Sequence, residues 1–380
     1  MRKGWVYKKL GEVCDITMGQ SPDGNSINEA NGVEFHQGKT CFGERFLGVS
    51  PLYSNAPTKL AEAHSVLLCV RAPVGYPNIT DRKICIGRGL CALYAKQEID
   101  NTFLFYSLLG KQAYFEKNAT GSTFKAISSK TVSNTTLSIP PKSTQLAIVS
   151  ELDKINELIR LKKEQLKDFD NLAQSLFYEM FGDPVENEKG WEVKKLGDVC
   201  SQITDGTHNS PTNTEKGDFM YVTAKNIKRD GIILDNITYV DAATHQSIYL
   251  RCNPEYGDLL YIKDGATTGI ATINNLKEEF SLLSSVALLK LGDEIVNYYL
   301  KAVLNTQSLY NSIRSNMGGA AITRLTLVKI KAIRIPLPPL FLQQLFAQRI
   351  EQIEREKSEV QKSIQDLETL LASRMQYWFE

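Results

Sequence analysis

The chain has 380 residues, of which 42% are hydrophobic and 23% are charged, and its formal net charge is +1. This composition is typical of a globular protein, and the length favours two domains over one. It excludes a whole-chain basic signal for nucleic acid, so any DNA-facing charge must form a local patch. Residues 1–141 are the most basic part, with 16 Lys/Arg and 11 Asp/Glu.

The seven cysteines are odd in number, and no pair has the C-x-x-C spacing of a zinc or redox site. We expect reduced thiols in a cytoplasmic protein. The first residues do not have the pattern of a signal peptide, and no run of 18 apolar residues exists. The sequence therefore predicts no contact with a membrane.

The first part, residues 1–141, is predicted to be rich in β-strands, with one or more short helices near its end. Apolar runs enter turns that contain Gly, Pro or Thr, and the part closes on a double proline. In chain order the predicted features are an opening segment at Gly4–Cys14, strands at Leu67–Gly75 and Ile84–Ile86, a helix at Asn101–Gln112, a polar loop at Gly121–Thr123 and a strand ending at Ile139–Pro141.

A long helix is predicted over residues 142–182, because its apolar residues recur in alternating steps of four and three. Such spacing is typical of a coiled-coil seam. From Ile148 to Met180 the helix would measure roughly 50 Å at ~1.5 Å per residue, and Lys162 interrupts its seam. The seam residues are Ile148, Leu152, Ile155, Ile159, Leu166, Phe169, Leu176 and Met180, with Ala173 between Phe169 and Leu176.

The third part, residues 183–339, repeats the first. Gly190–Cys200 matches Gly4–Cys14 at eight of eleven positions, including a tryptophan. The later features return in the same order, which indicates a tandem duplication. They are the strands at Leu259–Gly269 and Phe280–Leu283, a helix at Glu294–Ser308, the loop at Gly318-Gly319 and a strand ending at Ile335–Pro339.

A second long helix is predicted over residues 340–380, with Lys357 and Arg374 as polar interruptions. The expected fold is α+β, with two β-rich parts separated by two long helices that form an antiparallel coiled coil with pseudo-twofold symmetry. A dimerisation zipper and packing on the parent domain are the alternatives. The seam residues are Phe346, Ile350, Ile353, Val360, Ile364, Leu367, Leu371 and Trp378.

This arrangement resembles the specificity subunit of type I restriction-modification systems. The resemblance covers essentially the whole chain and rests on its repeated order: the two openings, the motif Asp205–His208, and proline-then-helix junctions that lead to Gln145 and Gln343. The first copy departs from the pattern, because it has Met18–Ser21 in place of Asp-Gly-Thr-His. The role of that motif is therefore not shared by both copies.

The resemblance implies two target-recognition domains, residues 1–141 and 183–339, a central conserved helix and a distal conserved helix. It implies a non-catalytic subunit that reads a bipartite, asymmetric site in double-stranded DNA. Its partners would be two adenine methyltransferase subunits, bound mainly through the helices, and nuclease-translocase subunits. S-adenosylmethionine, ATP and Mg are expected only on those partners, with no cofactor on this chain.

Candidate DNA contacts lie in the polar and Gly-rich loops, since Lys, Arg and hydroxyl groups bind phosphates and base edges. Each of them has an alternative as a solvated surface residue or a turn hydrogen bond, and His208 could cap the turn at Asp205 instead. The candidates of the first copy are Arg45, Lys59, Arg71, Arg88, Ser122, Thr123 and Lys125. Those of the second copy are Thr207, His208, Asn209, Lys225, Asn226, Lys263, Thr267, Thr268 and Arg324.

Catalytic motifs are incomplete in this sequence. Asn253–Tyr256 lacks the second proline of the amino-methyltransferase signature and is expected to shape a turn. Gly87–Gly89 lacks the third glycine of a dinucleotide-binding loop, and the Glu-x-Lys form at Glu192–Lys194 is not repeated in the first copy. The four histidines are scattered and no Walker loop occurs. No metal or catalytic site is predicted.

Three other functions are compatible with parts of this sequence. A fused modification enzyme would need catalytic motifs that this sequence lacks. A two-headed adaptor that binds proteins fits the repeat and the coiled coil equally well, and only the polar loops and the family resemblance favour DNA. A homodimer, as a half-length relative would form, is made unnecessary by the second copy.

Overall fold

The computed structural model describes residues 4–121, 125–315 and 324–379. The chain divides into two compact units: unit 1 comprises Met1–Lys163 with Lys362–Glu380, and unit 2 comprises Glu164–Gln361. Each unit contains one β-rich part and a segment of each long helix. The domain boundaries proposed from the sequence, which treat the helices as separate regions, remain a prediction. Among the described helices, none has the length and apolar character needed to cross a bilayer.

Unit 1 combines short strands with small helices. Its strands are β1 (Val6–Lys9), β2 (Cys14–Met18), β3 (Ile27–Asn28), β4 (Val33–His36), β5 (Tyr53–Ser54), β6 (Leu60–Ala61), β7 (Val66–Cys69), β8 (Pro77–Ile79), β9 (Ile84–Ile86), β10 (Leu90–Ala95) and β11 (Thr136–Ile139). Its helices are α1 (Leu10–Val13), α2 (Asn101–Leu109), α3 (Gln112–Lys117) and α4 (Ser129–Asn134), with 3-10 turns at Gly24–Ser26 and Lys39–Cys41. Strands β7, β8 and β9 are buried at every position, so they form the centre of the unit.

Unit 2 repeats this composition. Its strands are β12 (Glu192–Lys195), β13 (Cys200–Asp205), β14 (Phe219–Val222), β15 (Ile227–Lys228), β16 (Gly231–Ile232), β17 (Thr238–Val240), β18 (Leu259–Ile262), β19 (Ala271–Ile273), β20 (Phe280–Leu282), β21 (Val286–Leu291) and β22 (Arg334–Leu337). Its helices are α6 (Leu196–Val199), α7 (Ala242–Tyr249), α8 (Asn297–Leu304), α9 (Gln307–Ser315) and α10 (Leu327–Lys331). The strands and helices follow the predicted duplication.

The sheets of the two units share a common frame. The antiparallel sheet β2-β10-β7-β8 corresponds to β13-β21-β18-β19, and the ribbon β1-β11 corresponds to β12-β22. In both units one further pair is parallel, β4 with β9 and β14 with β20. The sheets built around these pairs differ, with order β3-β5-β4-β9-β6 in unit 1 and β17-β14-β20 in unit 2. The duplication therefore preserves the frame and varies the sheet placed on it.

The two long helices are confirmed as α5 (Lys142–Phe181) and α11 (Leu340–Phe379), each of 40 residues. At ~1.5 Å per residue each measures about 60 Å. The buried members of the predicted seam are Ile148, Leu152, Ile155, Ile159, Phe346, Ile350, Ile353, Val360 and Ile364. The half-buried members are Leu166, Phe169, Leu176, Met180, Leu367, Leu371 and Trp378. Every predicted seam residue thus loses much of its contact with water.

In unit 1 the beginning of α5 packs against the end of α11. Arg374, a predicted interruption of the seam, forms an ion pair with Glu151, and Trp378 Nε1 donates to Glu151 Oε2 at 3.0 Å. Further along, Lys163 lies 3.0 Å from Glu368. Because the partner numbers fall as the α5 numbers rise, the two segments are antiparallel, as predicted.

In unit 2 the end of α5 packs against the beginning of α11 in the same antiparallel sense. Lys357, the other interruption of this seam, is paired with Asp170. The rings of Phe177 and Phe346 lie 5.9 Å apart, and Phe181 lies 5.4 Å from Phe346. Phe177 and Phe181 are almost fully buried, although the predicted seam did not include them. They enlarge the apolar contact where α5 meets the β-rich part of unit 2.

A buried glutamine fastens α5 to the β-rich part of unit 1. Gln145 Oε1 accepts a hydrogen bond from the Asp100 amide at 2.8 Å. Its Nε2 donates to the carbonyl oxygens of Glu98 at 2.9 Å and Pro140 at 3.0 Å. One side chain thus joins the turn before α2 to the proline turn before α5.

Unit 2 contains the same arrangement at Gln343. Its Oε1 accepts from the Val296 amide at 2.9 Å, and its Nε2 donates to the carbonyls of Glu294 at 3.1 Å and Pro338 at 2.8 Å. Gln145 and Gln343 both have no solvent exposure. We call these two sets of bonds the glutamine clasps. The two glutamines that contribute to the family resemblance therefore fasten each long helix to the β-rich part of its unit.

The helical segment predicted at Asn101–Gln112 is confirmed and is divided into two helices, because α2 ends at Leu109 and α3 begins at Gln112. A Cβ atom added at Gly110 would lie only 2.8 Å from Phe379 Cβ. The break therefore occurs where the end of α11 approaches the backbone of the helical segment.

The helical segment predicted at Glu294–Ser308 is confirmed as well and is likewise divided, into α8 and α9. Asn305 Nδ2 donates to the Ala271 carbonyl at 2.8 Å, and the Ala271 amide donates to Asn305 Oδ1 at 3.2 Å. The Asn305 side chain thus pairs with the edge of β19, and the chain turns at this point.

Candidate nucleic-acid interface

The structure brings three predicted residues of unit 1, Arg71, Arg88 and Lys125, to one end of the four-stranded sheet, and it places a fourth, Lys59, beside β9 of the neighbouring sheet. On either side of Arg71, the Val70 amide donates to the Gly89 carbonyl at 2.9 Å, and the Ala72 amide donates to the Lys125 carbonyl at 3.0 Å. The carbonyl of Lys59 accepts from the last residue of β9 at 2.9 Å. All four residues are exposed. Segments distant in sequence therefore form one basic surface.

Lys39 joins this surface, although the sequence reasoning missed it. It lies with Arg71 and Arg88 around a hollow of about 140 Å³, which we call the basic hollow. Its Nζ sits 4.0 Å from the centre of the Tyr76 ring. The sequence offered no periodic signal for Lys39, because it belongs to a single 3-10 turn. Ser122 and Thr123, predicted beside Lys125, lie outside the described residues.

Arg45 is placed elsewhere. Its Nη1 lies 2.8 Å from Asp153 Oδ1 on α5, and its Nη2 donates to Thr102 Oγ1 at 3.0 Å. Tyr106 also donates to Asp153, at 2.7 Å, and burial together with this bond raises the pKa of Tyr106 above its ordinary range. Arg45 thus fastens its loop to α5 and α2, and its guanidinium is largely used inside the unit.

In unit 2, Lys225 and Thr267 line a hollow of about 700 Å³ together with Lys228 and Tyr221, which we call the polar hollow. Lys225, Thr267 and Lys228 are exposed. Tyr221 forms part of the wall and is 3% exposed, and burial raises its pKa to about 12. Lys228 was missed by the sequence reasoning and lies on the hairpin β15-β16.

Three predicted residues of unit 2 are buried and serve its own structure. Asn226 Oδ1 accepts from the Thr223 amide at 3.0 Å, and Asn226 Nδ2 donates to the Ile233 carbonyl at 3.2 Å. Thr268 Oγ1 donates to the Gly265 carbonyl at 2.7 Å. Both residues support the loops that carry Lys225 and Thr267.

Lys263, the third buried residue, is 2% exposed. Its Nζ lies 3.3 Å from Asp205 Oδ2 and 3.3 Å from Asp264 Oδ2. Asp264 is also 3.3 Å from Arg324, which is exposed. A buried ammonium group needs such partners, since an unpaired charge away from water is costly. In this arrangement Lys263 supports the surface, and Arg324 presents a charge at it.

The loop after β13 depends on Asp205. Arg251 Nη2 lies 3.0 Å from Asp205 Oδ1, and His208 Nε2 lies 3.3 Å from the same oxygen. The contact of His208 supports the alternative that it caps this turn. Thr207 Oγ1 donates to the Asn209 carbonyl at 3.0 Å. His208 and Asn209 are exposed, while Thr207 is half-buried.

The glycine that follows this strand is required in both copies. A Cβ atom at Gly206 would lie 1.8 Å from the Leu282 carbonyl oxygen, and one at Gly19 would lie 2.1 Å from the Gly87 carbonyl oxygen. Side chains larger than hydrogen cannot fit there without a backbone shift. The shared part of Met18–Ser21 and the Asp-Gly-Thr-His motif is therefore this glycine, and the flanking residues differ.

Within the described ranges, no group of three or more His, Cys, Asp and Glu side chains has metal-binding geometry, and the seven cysteines are free thiols. The segment Asn253–Tyr256 leads into a turn at Glu255–Asp258 before β18, where the Asp258 amide donates to the Glu255 carbonyl at 3.1 Å and the Glu255 amide donates to Asp258 Oδ2 at 2.8 Å. The turn expected from Pro254 is confirmed.

A family model for the type I restriction modification DNA specificity domain matches residues 2–168 and 188–369. The chain belongs to this family. It is a specificity subunit, as its sequence resemblance implied, and the two matches fall on the two copies of the duplication. The predicted family and the predicted fold class are confirmed.

Two curated relatives come from Methanocaldococcus jannaschii. The chain is 37% identical over 176 residues to the putative type I restriction enzyme MjaX specificity subunit, a match that covers 45% of this chain and only 41% of the relative. It is 23% identical over 377 residues to the type I restriction enzyme MjaIX specificity subunit, covering 90% of this chain and 85% of the relative.

A solved structure shows the same fold. The S subunit of the type I restriction-modification system from M. genitalium is 17% identical, with a TM-score of 0.57, and the match covers 99% of this chain and 96% of that one. At this identity the likeness concerns the fold alone.

The two hollows occupy equivalent places in the specificity subunit. In unit 1 the amide of Val70, the residue after β7, donates to the Gly89 carbonyl at 2.9 Å. In unit 2 the amide of Lys263, the residue after β18, donates to the Ser285 carbonyl at 2.9 Å. Asp264 therefore stands where unit 1 has Arg71, and the residue before Ser285 stands where unit 1 has Arg88. A common backbone frame carries two different sets of polar side chains.

Proposed function

We propose that this specificity subunit reads a bipartite, asymmetric site in double-stranded DNA, with one half read by each unit. The observation that supports this most is the pair of equivalent hollows with different side chains. Bases are distinguished by the donors and acceptors at their groove edges. Changing Arg71 to Asp264 on the same frame reverses a charge, so the two units should prefer different sequences.

The helices would bind the partner subunits, mainly two methyltransferase subunits. Nuclease-translocase subunits would complete the complex. On the helices of unit 1, four leucines lie outside the seam and are about half exposed: Leu146 at 50%, Leu158 at 47%, Leu161 at 46% and Leu370 at 45%. Leu161 follows Leu158 by one helical turn, so both occupy one face of α5. Exposed apolar side chains on one helix face are typical of a protein-binding surface.

Catalysis would belong to the partners in this proposal. The basic hollow is lined by cationic side chains, which suit phosphates, and the polar hollow combines lysines and hydroxyl groups with Asp264, donors and an acceptor that suit base edges. Methyl transfer with S-adenosylmethionine, and cleavage with ATP and Mg, are assigned to the methyltransferase and nuclease-translocase subunits.

Methylome sequencing of a strain that expresses this chain with its methyltransferase partner tests the proposal. We expect adenine methylation within a split motif whose two halves differ. Methylation of a continuous motif, or of a palindromic one, would refute two independent readers. If the complex shows no salt-sensitive binding to DNA, the protein adaptor is favoured instead.

A further inference from the structure

The basic hollow of unit 1 gathers three cations without a neutralising acid. Lys39, Arg71 and Arg88 line it, and none of them is within ion-pair distance of a carboxylate among the described residues, whereas Arg82 and Lys83 nearby are both paired. Like charges that converge on a concave surface repel one another, so the arrangement is costly without an anion. Its composition therefore indicates an anionic ligand.

The backbone around Arg88 is shaped to form this hollow. A Cβ atom at Gly89 would lie 2.2 Å from the Gln37 carbonyl oxygen, and one at Gly87 would lie 3.1 Å from Gln37 Cα. The two glycines let the chain at Gln37 pass directly against residues 87–89. The exposed Arg88 between them and Lys39, two residues after Gln37, are thereby brought to the same hollow.

We propose that the basic hollow binds a phosphate group of the DNA backbone, independently of base sequence. This inference rests on the proposed DNA-reading function. A base edge lies recessed in a groove and is reached by protruding side chains, whereas a phosphate projects from the duplex and fits a concave site. A hollow of about 140 Å³ has room for a phosphate group, and its two guanidinium groups and one ammonium group supply the charged donors that bind phosphate oxygens.

Unit 2 supplies a comparison for this site. At the position equivalent to Arg71 it has Asp264, which is paired with Lys263 and Arg324. At the position equivalent to Arg88 it has Ser284. A phosphate would meet a carboxylate at this point of the frame, so the phosphate site is specific to unit 1.

The test uses the full chain assembled with its methyltransferase subunits and two duplexes, one with the methylated motif and one without it. The double variant Arg71→Gln/Arg88→Gln is compared with Lys117→Gln/Lys130→Gln, which removes the same charge from exposed positions of unit 1. Binding is measured over a series of salt concentrations. A second variant, Arg71→Lys/Arg88→Lys, keeps the charge and removes the planar guanidinium fork.

The glutamine variant should bind both duplexes more weakly by a similar factor, and the slope of log affinity against log salt should become shallower by about 1, the value for one phosphate. The lysine variant should keep most of the binding, and the control should keep the wild-type slope. Weaker binding of the specific duplex alone, with a relaxed motif, would overturn the phosphate assignment in favour of base reading. An unchanged slope in the glutamine variant would refute the site, and an absence of salt-sensitive binding by the wild-type complex would refute the proposed function itself.

Discussion

Replacing Gln343 with methionine removes one glutamine clasp while keeping the size of the side chain. The clasp consists of three hydrogen bonds, from the Val296 amide and to the Glu294 and Pro338 carbonyls, with lengths between 2.8 and 3.1 Å. Because Gln343 has no solvent exposure, its removal leaves backbone groups without their partner in a place that water enters poorly.

The expected loss of stability follows from these three bonds. A buried hydrogen bond contributes ~1 kcal/mol net, and an unpaired buried group costs ~1–3 kcal/mol. Methionine adapts to the existing space, so no cavity term is added. We therefore expect Gln343→Met to lower the free energy of unfolding by at least about 3 kcal/mol, because three backbone groups lose their partner at a cost of ~1 kcal/mol or more each.

Urea unfolding of the chain, followed by circular dichroism, measures this effect. Gln344→Met is the matched control, because Gln344 is the next residue of α11 and is exposed. Gln145→Met should produce a similar loss in unit 1. If Gln343→Met unfolds at the same urea concentration as the control, the clasp does not stabilise the junction and the reasoning is wrong.

Three other changes should have defined effects. Gly206→Ala forces a Cβ atom to within 1.8 Å of the Leu282 carbonyl oxygen, so calorimetry should show a loss of more than about 2 kcal/mol, the scale of an overpacked core site. For Glu34, burial raises the pKa, but bonds from Arg82 outweigh it and lower the pKa to about 2. The resulting stability is present above the ordinary value of 4.5 and is lost as pH falls towards 2, so Arg82→Met should move the acid-unfolding midpoint to higher pH. Leu158→Lys should weaken methyltransferase binding in a titration and leave the unfolding temperature unchanged.

Each of these predictions has its own control. Gly24→Ala should be nearly neutral, because a Cβ atom there meets open space, and equal losses at both glycines would contradict the steric argument. Lys83→Met removes a more exposed cation from the same region and should leave the acid midpoint in place. Glu157→Lys, adjacent to Leu158 on α5, should retain the methyltransferase if the apolar contact is decisive.

The long helices could be predicted from the sequence because their seams are local patterns. Ile148, Leu152 and Ile155 are spaced so that any helix containing them has one apolar face, and the second copy repeats this spacing. The break at Gly110 could not be predicted in the same way. It reflects a contact with Phe379, which lies far away in the sequence.

The candidate site was predicted less completely, because polar residue types do not reveal burial. Lys263 and Asn226 are polar residues predicted to lie in exposed loops, yet both are buried. Lys263 is paired with Asp205, which the fold brings close to it. Lys39 was missed because its neighbours in the hollow come from other segments. The grouping of Arg71 with Arg88 depends on the register between β7 and β10, which the sequence alone did not define.

The most direct test of independent reading is an exchange of residues 1–141 for the corresponding part of a specificity subunit with a different motif, followed by methylome sequencing. Each unit contains its own hollow on a complete frame, so we predict that one half of the motif changes and the other half is retained. A change in both halves, or in neither, would contradict the assignment of one half-site to each unit.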